Sequence, residues 1–421
     1  MSQGAPDARR PAGERGGRLR VVWVSETFLP KVDGVVTRLT ATLTALEKSG
    51  HEVLLLAPPG APERYGAHRV LAAPGMPFPW YPEHRAALPS ARLARAVREF
   101  EPDLLHVVNP IFFGAWGALL ARRARLPLVA SFHTDPKVVH HLGLGLVRRP
   151  LEVLDREVHN LAHVNLCTSP QMIELARGLG IRRVRLWQKA VDTERFDPRF
   201  RSAAMRVRLS AGHPEAPLVV YAGRVSFEKR VDVLADAAMA LAAEGVRFAV
   251  VGEGPALPNL KERLKGTATV FTGFLQGDEL SEAYASGDVF AFPSTSETLG
   301  FAALEAMAAG VPVVAAAAGG LPHIVRDGEN GVLVAPGDAR ALAAGIRRLL
   351  DDEDRRERLA RAGRADAERW SWDAATADLV IRYRQAMRVA RLARGGQRSA
   401  PPQPAASVGS PRAPGVEPER R

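Results

Sequence analysis

Phe292-Pro-Ser-Thr-Ser-Glu-Thr-Leu-Gly-Phe-Ala-Ala-Leu-Glu-Ala-Met-Ala-Ala-Gly-Val-Pro-Val-Val-Ala315 is the stretch on which the reading of this chain turns. Residues 288–292 (Asp-Val-Phe-Ala-Phe) are short, apolar and followed by Pro293 and Ser294, the composition of a buried strand that stops. Gly300 allows a tight turn, and residues 301–309 have helix-forming composition until Gly310 and Pro312 end it. Strand, small-residue turn and helix start together offer several backbone N–H groups at one point, a setting that suits a phosphate. Two carboxylates flank the turn. Glu297 precedes it, and Glu305 is expected about two turns into the helix, within reach of a sugar hydroxyl beside the phosphates. The plainer reading of either residue alone is an acidic first turn that answers the helix dipole.

The same unit recurs outward from there. Residues 20–24, 51–57, 103–108 and 127–132 read as strands, with a helix over 35–48. After Asp192-Thr-Glu-Arg-Phe-Asp-Pro198 the series restarts with strands at 218–222, 247–251 and 269–273. Alternating strands and helices predict an α/β chain with parallel sheets covered on both faces, and two such series predict two doubly wound domains facing a cleft. The expected boundaries are a basic disordered tail at 1–18, a first Rossmann-like domain at 19–195 and a second at 196–372. A helix over 373–394 is expected to return to the first domain, followed by a disordered tail at 395–421.

Composition agrees with soluble globular domains: 421 residues, 46% hydrophobic and 24% charged. No apolar run approaches the roughly 18 residues of a membrane span. The Arg-, Gly- and Pro-rich start lacks the apolar core of a secretory signal, so the expected location is cytoplasmic, with the inner face of the plasma membrane as its lipid-facing variant. Cys167 is the single cysteine, which excludes an intramolecular disulfide and a multi-cysteine metal site. The net charge of +11 fits nucleic acid, an anionic membrane or plain solubility. Arginine is dispersed without zinc-finger spacing or stacking aromatics, so no nucleic-acid partner is expected. The Ala91-Arg-Leu-Ala-Arg-Ala-Val-Arg-Glu-Phe100 segment puts Arg92, Arg95 and Arg98 on one helical face. That face is either an ordinary solvated one or, with Arg122, Arg123, Arg148 and Arg149, a peripheral contact with anionic lipid.

Four further clusters belong at strand ends. Gly34, in Phe28-Leu-Pro-Lys-Val-Asp-Gly-Val-Val36, precedes a helix whose positive end would face a bound anion. Ser131-Phe-His-Thr134 carries His133. Tyr221-Ala-Gly-Arg-Val-Ser-Phe-Glu-Lys-Arg230 sets Arg224 and Lys229 before a helix near Val231, two cations suited to a leaving group that gains negative charge; Arg230 is expected to point to solvent. Gly252 and Gly254 in Val251-Gly-Glu-Gly-Pro255 lack the third glycine of a dinucleotide fingerprint and read as a tight loop, with Thr272-Gly-Phe-Leu275 beside it.

Taken together, these motifs resemble glycosyltransferase family 4, retaining enzymes of the two-domain GT-B architecture, over roughly residues 20–385. Within it, Glu26-Thr-Phe-Leu-Pro-Lys-Val-Asp-Gly-Val-Val-Thr-Arg38, Tyr81-Pro-Glu, His106-Val-Val-Asn-Pro110, Leu166-Cys-Thr-Ser169 and Leu186-Trp-Gln-Lys-Ala-Val-Asp-Thr193 look like the subgroup of sulfoquinovosyldiacylglycerol synthases and related bacterial α-mannosyl- and glucosyltransferases. The resemblance implies a GDP- or UDP-hexose donor (GDP-mannose, UDP-sulfoquinovose or UDP-glucose) and a lipid or glycan acceptor. It gives His133, Arg224, Lys229 and Glu297 catalytic roles. It assigns Gly34, Gly252, Gly254, Phe274, Leu275, Thr298, Leu299, Gly300, Phe301 and Glu305 to the donor, with Glu305 at the ribose. It implies no required cofactor and no metal site, a magnesium ion being compatible with the diphosphate but not essential. The chain departs from the lipid synthases after His133, where Asp135-Pro-Lys-Val-Val-His-His-Leu-Gly-Leu-Gly145 replaces their tyrosines on the acceptor side. An epimerase of GT-B-like shape and a catalytically silent nucleotide-sugar or membrane-binding module are the alternatives.

Overall fold

The computed structural model describes residues 17–31, 33–78, 81–133 and 148–398. The expected tails, apart from Gly17, Arg18 and residues 395–398, lie outside these residues, as do the 135–145 segment, His140 and His141.

Two sheets organise the chain. The first has eight strands in the order Val184–Leu186, Val164–Cys167, Leu128–Phe132, Leu104–Val108, Arg20–Ser25, Glu52–Ala57, His68–Ala72, Arg64–Tyr65. Every pairing is parallel except the last, a short antiparallel edge. Alternation along a strand splits its residues between two cores. Val21 and Trp23 join one with Leu39, Leu43 and Leu46, whereas Val22 and Val24 join the other with Leu93, Val97 and Phe113. The second sheet has six parallel strands ordered Val270–Gly273, Arg247–Val251, Leu218–Ala222, Val289–Phe292, Val313–Ala316, Val332–Val334. In chain order within that domain this is 3-2-1-4-5-6, the doubly wound pattern.

Among its parallel strands each sheet reverses its strand order once, and the loops beyond that reversal form a crevice. In the first sheet the reversal lies between Arg20–Ser25 and Leu104–Val108; in the second, between Leu218–Ala222 and Val289–Phe292. The last helix, Trp372–Arg398, packs on the first sheet, where Leu379, Val380, Tyr383 and Ala386 enter the core containing Val21 and Trp23. Tyr383 Oη accepts from Trp23 Nε1 at 2.9 Å and lies 2.9 Å from His106 Nδ1. This helix exceeds the expected 373–394 at both ends, because each residue added to an existing helix gains a backbone bond for little cost.

Several elements had no counterpart in the sequence reading: the strands Val164–Cys167 and Val184–Leu186, the edge strands at 64–72, and the hairpin Gly75–Phe78 with Tyr81–Ala87. The first two are too short for a periodic signal and are specified by their neighbours.

Candidate active site at the two switch points

In the second domain, the loops after the two strands that flank the reversal carry the charged residues. The loop after Leu218–Ala222 is tied to the next strand end by backbone alone: Gly223 N–H donates to Val251 O (3.0 Å) and Val225 N–H to Glu253 O (2.8 Å). An ideal Cβ on Gly252 would lie 2.0 Å from Gly223 O, and one on Gly254 2.3 Å from Val225 O. Both glycines also hold positive φ, 132° and 155°, so close approach and backbone angle each demand glycine. This loop exposes Arg224, whose carbonyl accepts from the buried Tyr221 hydroxyl at 2.8 Å. Arg230, at φ 53°, keeps its side chain 36% exposed to solvent as expected and there pairs with Asp232 through Nε and Nη2, at 3.0 and 2.9 Å.

The loop after Val289–Phe292 brings Glu297 to Lys229, with Oε1 accepting from Nζ at 2.6 Å in a half-buried pair. Gly300 turns the chain at φ 82°, and the helix Phe301–Ala308 follows. Among the described residues, no acceptor meets the backbone N–H groups of Thr298, Leu299 or Gly300. The loop is backed by Gly319 and Gly320, whose Cβ atoms would strike the carbonyls of Glu297 and Thr298 at 2.5 Å each, and Gly320 N–H donates to Glu297 O at 2.7 Å. The Gly-Gly pair after Val313–Ala316 was the signal for this support, and the sequence reading passed over it.

Glu305 lies just over one turn into that helix, not two: the helix starts at Phe301 as its composition indicates, and two turns from there would take about seven residues. Its Oε2 accepts from Tyr284 Oη at 2.7 Å, and burial pushes its carboxyl up to about 7. Phe274 is exposed whereas Leu275 is core, so of this pair only Phe274 has a side chain free to meet a ligand.

The first domain meets this site at Gly34, and His133 follows its strand Leu128–Phe132. Asp33 caps the helix Gly34–Lys48 by accepting from Val36 N–H at 2.9 Å and pairs with Lys31 at 3.0 Å. A Cβ on Gly34 would touch the Phe301 ring at 3.4 Å, so the two domains' loops are in contact distance there. Phe301 in turn stacks on Trp372, centroids 6.1 Å apart. His133 is buried, with Nε2 2.9 Å from Ser131 Oγ and its ring edge-on to Trp187 at 5.4 Å. Burial first, then the charges of Arg38, His106 and His159, hold its pKa well below the usual histidine value, so it is neutral. Glu26, not singled out as a site residue in the sequence reading, crosses the first reversal by accepting from Phe112 and Gly114 N–H at 2.8 and 2.9 Å. Among the described residues, no group of three or more His, Cys, Asp or Glu side chains could hold a metal ion.

Comparison with known proteins bears on this geometry. Residues 32–195 match the family described as Glycosyltransferase Family 4, and residues 216–352 match the Glycosyl transferases group 1. The chain is 38% identical over 356 residues to a sulfoquinovosyl transferase of Arabidopsis thaliana, covering 82% of this chain and 69% of that one. It is 35% identical over 375 residues to a GDP-mannose-dependent alpha-mannosyltransferase of Mycobacterium tuberculosis, covering 87% and 96%. The chain belongs to glycosyltransferase family 4. A sucrose-phosphate synthase from Thermosynechococcus elongatus superposes on this glycosyltransferase with a TM-score of 0.72 at 22% identity, covering 87% of this chain and 99% of that one, which establishes the GT-B fold. The glycosyltransferase's two switch points thus face one another as the walls of a GT-B cleft.

Proposed function

We propose that this enzyme is a retaining hexosyltransferase that moves a sugar from a GDP- or UDP-hexose to a hydroxyl of a membrane lipid or glycolipid. The observation that carries the reading is one of charge. Arg224, Lys229 and three backbone N–H groups that meet no acceptor among the described residues lie on the two loops where one Rossmann-like sheet reverses, and Gly34 lies against Phe301 from the other domain. Such a constellation stabilises a diphosphate most as the glycosidic bond breaks and negative charge grows on the leaving oxygen. Glu297 holds the Lys229 ammonium in place, and Glu305 is suited to accept from ribose hydroxyls. His133, neutral and fixed by Ser131 and Trp187, offers its remaining ring nitrogen and carbonyl to the sugar. Retention then follows from front-face attack, with the leaving phosphate taking the acceptor proton, since no carboxylate is assigned as nucleophile.

The lipid acceptor is favoured by the resemblance to sulfoquinovosyldiacylglycerol synthases and by one surface. No helix among the described residues is long and apolar enough to cross a membrane. In the segment Ala91–Phe100 the apolar residues Leu93, Ala96 and Val97 are buried, leaving Arg92, Arg95 and Arg98 exposed beside Glu99 with no large apolar side chain among the exposed residues. A better lipid-facing surface combines exposed Ile111, Phe112, Leu119, Val153 and Leu154 with Arg122, Arg123 and Arg149.

The deciding experiment incubates the enzyme with labelled GDP-mannose, UDP-glucose and UDP-sulfoquinovose plus diacylglycerol-containing vesicles, and determines the anomeric configuration of the product by NMR. Transfer with an α-linked product is expected. A β-linked product would refute retention, and no lipid-soluble label with any donor would refute the lipid acceptor. The surface is tested by reversing Arg122, Arg123 and Arg149 to Glu, which is expected to abolish sedimentation with anionic vesicles while nucleotide binding stays intact; undiminished sedimentation at low salt would refute it.

A further inference from the structure

Two buried arginines in this molecule are treated in opposite ways. Arg206, 9% exposed, has every group answered: Nε donates to Pro214 O (2.9 Å), Nη1 to Ser286 O (2.8 Å), and Nη2 to Ala216 O (2.6 Å) and the Asp288 carboxylate (2.7 Å). Its role is structural. Arg38, 1% exposed, makes one hydrogen bond, from Nη2 to Gln188 O at 2.5 Å. Its guanidinium lies 4.5 Å over the Trp187 ring, and Nε and Nη1 meet no acceptor. Among the described residues no carboxylate pairs with it, and burial pushes its pKa down only to about 9, so it stays charged at neutral pH. A buried cation with no counter-ion and unmet donors is among the costliest arrangements a fold can keep. An exception of this kind calls for a partner that arrives from outside.

Position says which end of the donor that partner belongs to. Trp187 carries Arg38 on its ring face and His133 on its edge. Arg38 is one turn beyond Gly34 on the same helix. Under the proposed function the diphosphate is met by the Arg224, Lys229 and Gly300 loops of the other domain, which leaves the unmet Arg38 donors to the sugar end. A guanidinium fork suits a carboxylate or sulfonate, which can accept two parallel N–H bonds and supply the missing charge.

We propose that Arg38 is a specificity-determining residue that receives an acidic substituent, a carboxylate or sulfonate, on the hexosyl unit of the donor. The inference rests on the placement of His133 at the sugar given under Proposed function. A neutral sugar leaves the guanidinium unpaired, and sites built around a polar contact reject analogues that lack it more strongly than apolar pockets reject an extra methylene.

The test uses donor pairs that differ at the acidic group: UDP-glucuronate and UDP-sulfoquinovose against UDP-glucose, and GDP-mannuronate against GDP-mannose. Each is titrated by calorimetry into the full chain, wild type, Arg38→Gln and Arg38→Lys. The wild type is expected to bind the acidic member on the order of tenfold tighter or more within the series of its preferred base. Arg38→Gln should erase that preference while affinity for free UDP or GDP changes by less than about twofold, and Arg38→Lys, which keeps the charge without the fork, should retain part of it. Equal or tighter binding of the neutral member in both series overturns the proposal, as does a preference that survives Arg38→Gln. The wild-type comparison decides alone if a variant does not fold. Failure of both UDP and GDP to bind would sink the nucleotide-sugar reading as well, whereas nucleotide binding without acid preference sinks only the role of Arg38.

Discussion

In the second domain the loops at the switch point are held by their own backbone. Gly252 and Gly254 press against the Gly223 and Val225 carbonyls with no room for a side chain, and Gly319 and Gly320 do the same behind Glu297. In the first domain the corresponding floor is held by side chains: Arg38, His133 and His106 pack around Trp187, and Tyr383 fastens His106 and Trp23 from the last helix. The difference teaches where each domain can vary. A backbone-built cradle serves a group common to every nucleotide donor, and almost any substitution breaks it. A side-chain-built floor can be retuned one residue at a time, which suits recognition of a particular sugar.

The sharpest break should come from removing charge at the backbone cradle. Arg224→Ala or Lys229→Ala is expected to lower turnover by on the order of a hundredfold or more while the melting temperature hardly moves, as when an oxyanion donor is lost. Near-native turnover in either variant would remove that residue from the leaving-group site. Gly252→Ala should instead cost stability, about 2 kcal/mol or more, because the added Cβ meets the Gly223 carbonyl and φ is unsuited to alanine. A chemical-denaturation midpoint equal to wild type would show that the two loops can separate freely.

On the side-chain-built floor, Tyr383→Phe should cost about 1–3 kcal/mol, since Trp23 Nε1 loses its acceptor and His106 Nδ1 its partner in a buried setting. An unchanged midpoint would mean that the last helix is held by apolar packing alone. The smallest effect is one of pH. Glu305 has its carboxyl raised from 4.5 to about 7, so the folded state favours the protonated form. Its contribution to stability is full below the unfolded value and is lost as pH rises through about 7. Nucleotide affinity should move the other way, rising between pH 6 and 8 as the carboxylate becomes able to accept from ribose; these two pH values bracket the raised pKa of about 7. In Glu305→Gln both pH dependences should flatten, and calorimetry and thermal melts at the two pH values check them.

Much of this was legible beforehand because it is local. Apolar runs ending in Gly or Pro locate the strands, and the strand at Val289–Phe292, Gly300 and the helix Phe301–Ala308 follow from neighbours in the chain. The cations at 224 and 229 and the carboxylates at 297 and 305 were readable for the same reason. Two features were not legible in this way. Arg230 pairs with Asp232, and the Gly319–Gly320 support belongs to a strand end that abuts Glu297 only in three dimensions.

By itself, then, the sequence determined two wound sheets, the strand-end loops and the residue types that can neutralise a diphosphate, since each depends on interactions spanning a few residues. Only the tertiary structure decided which loops share a crevice, because that depends on strand order, and strand order is set by long-range packing. It also decided the state of Arg38. Its place in the Glu26-to-Arg38 motif looks like any helix surface, yet Trp187 and Gln188 close over it from a strand end some 150 positions away. Burial without a counter-ion among the described residues is a property of that closure, and no local pattern in the chain announces it.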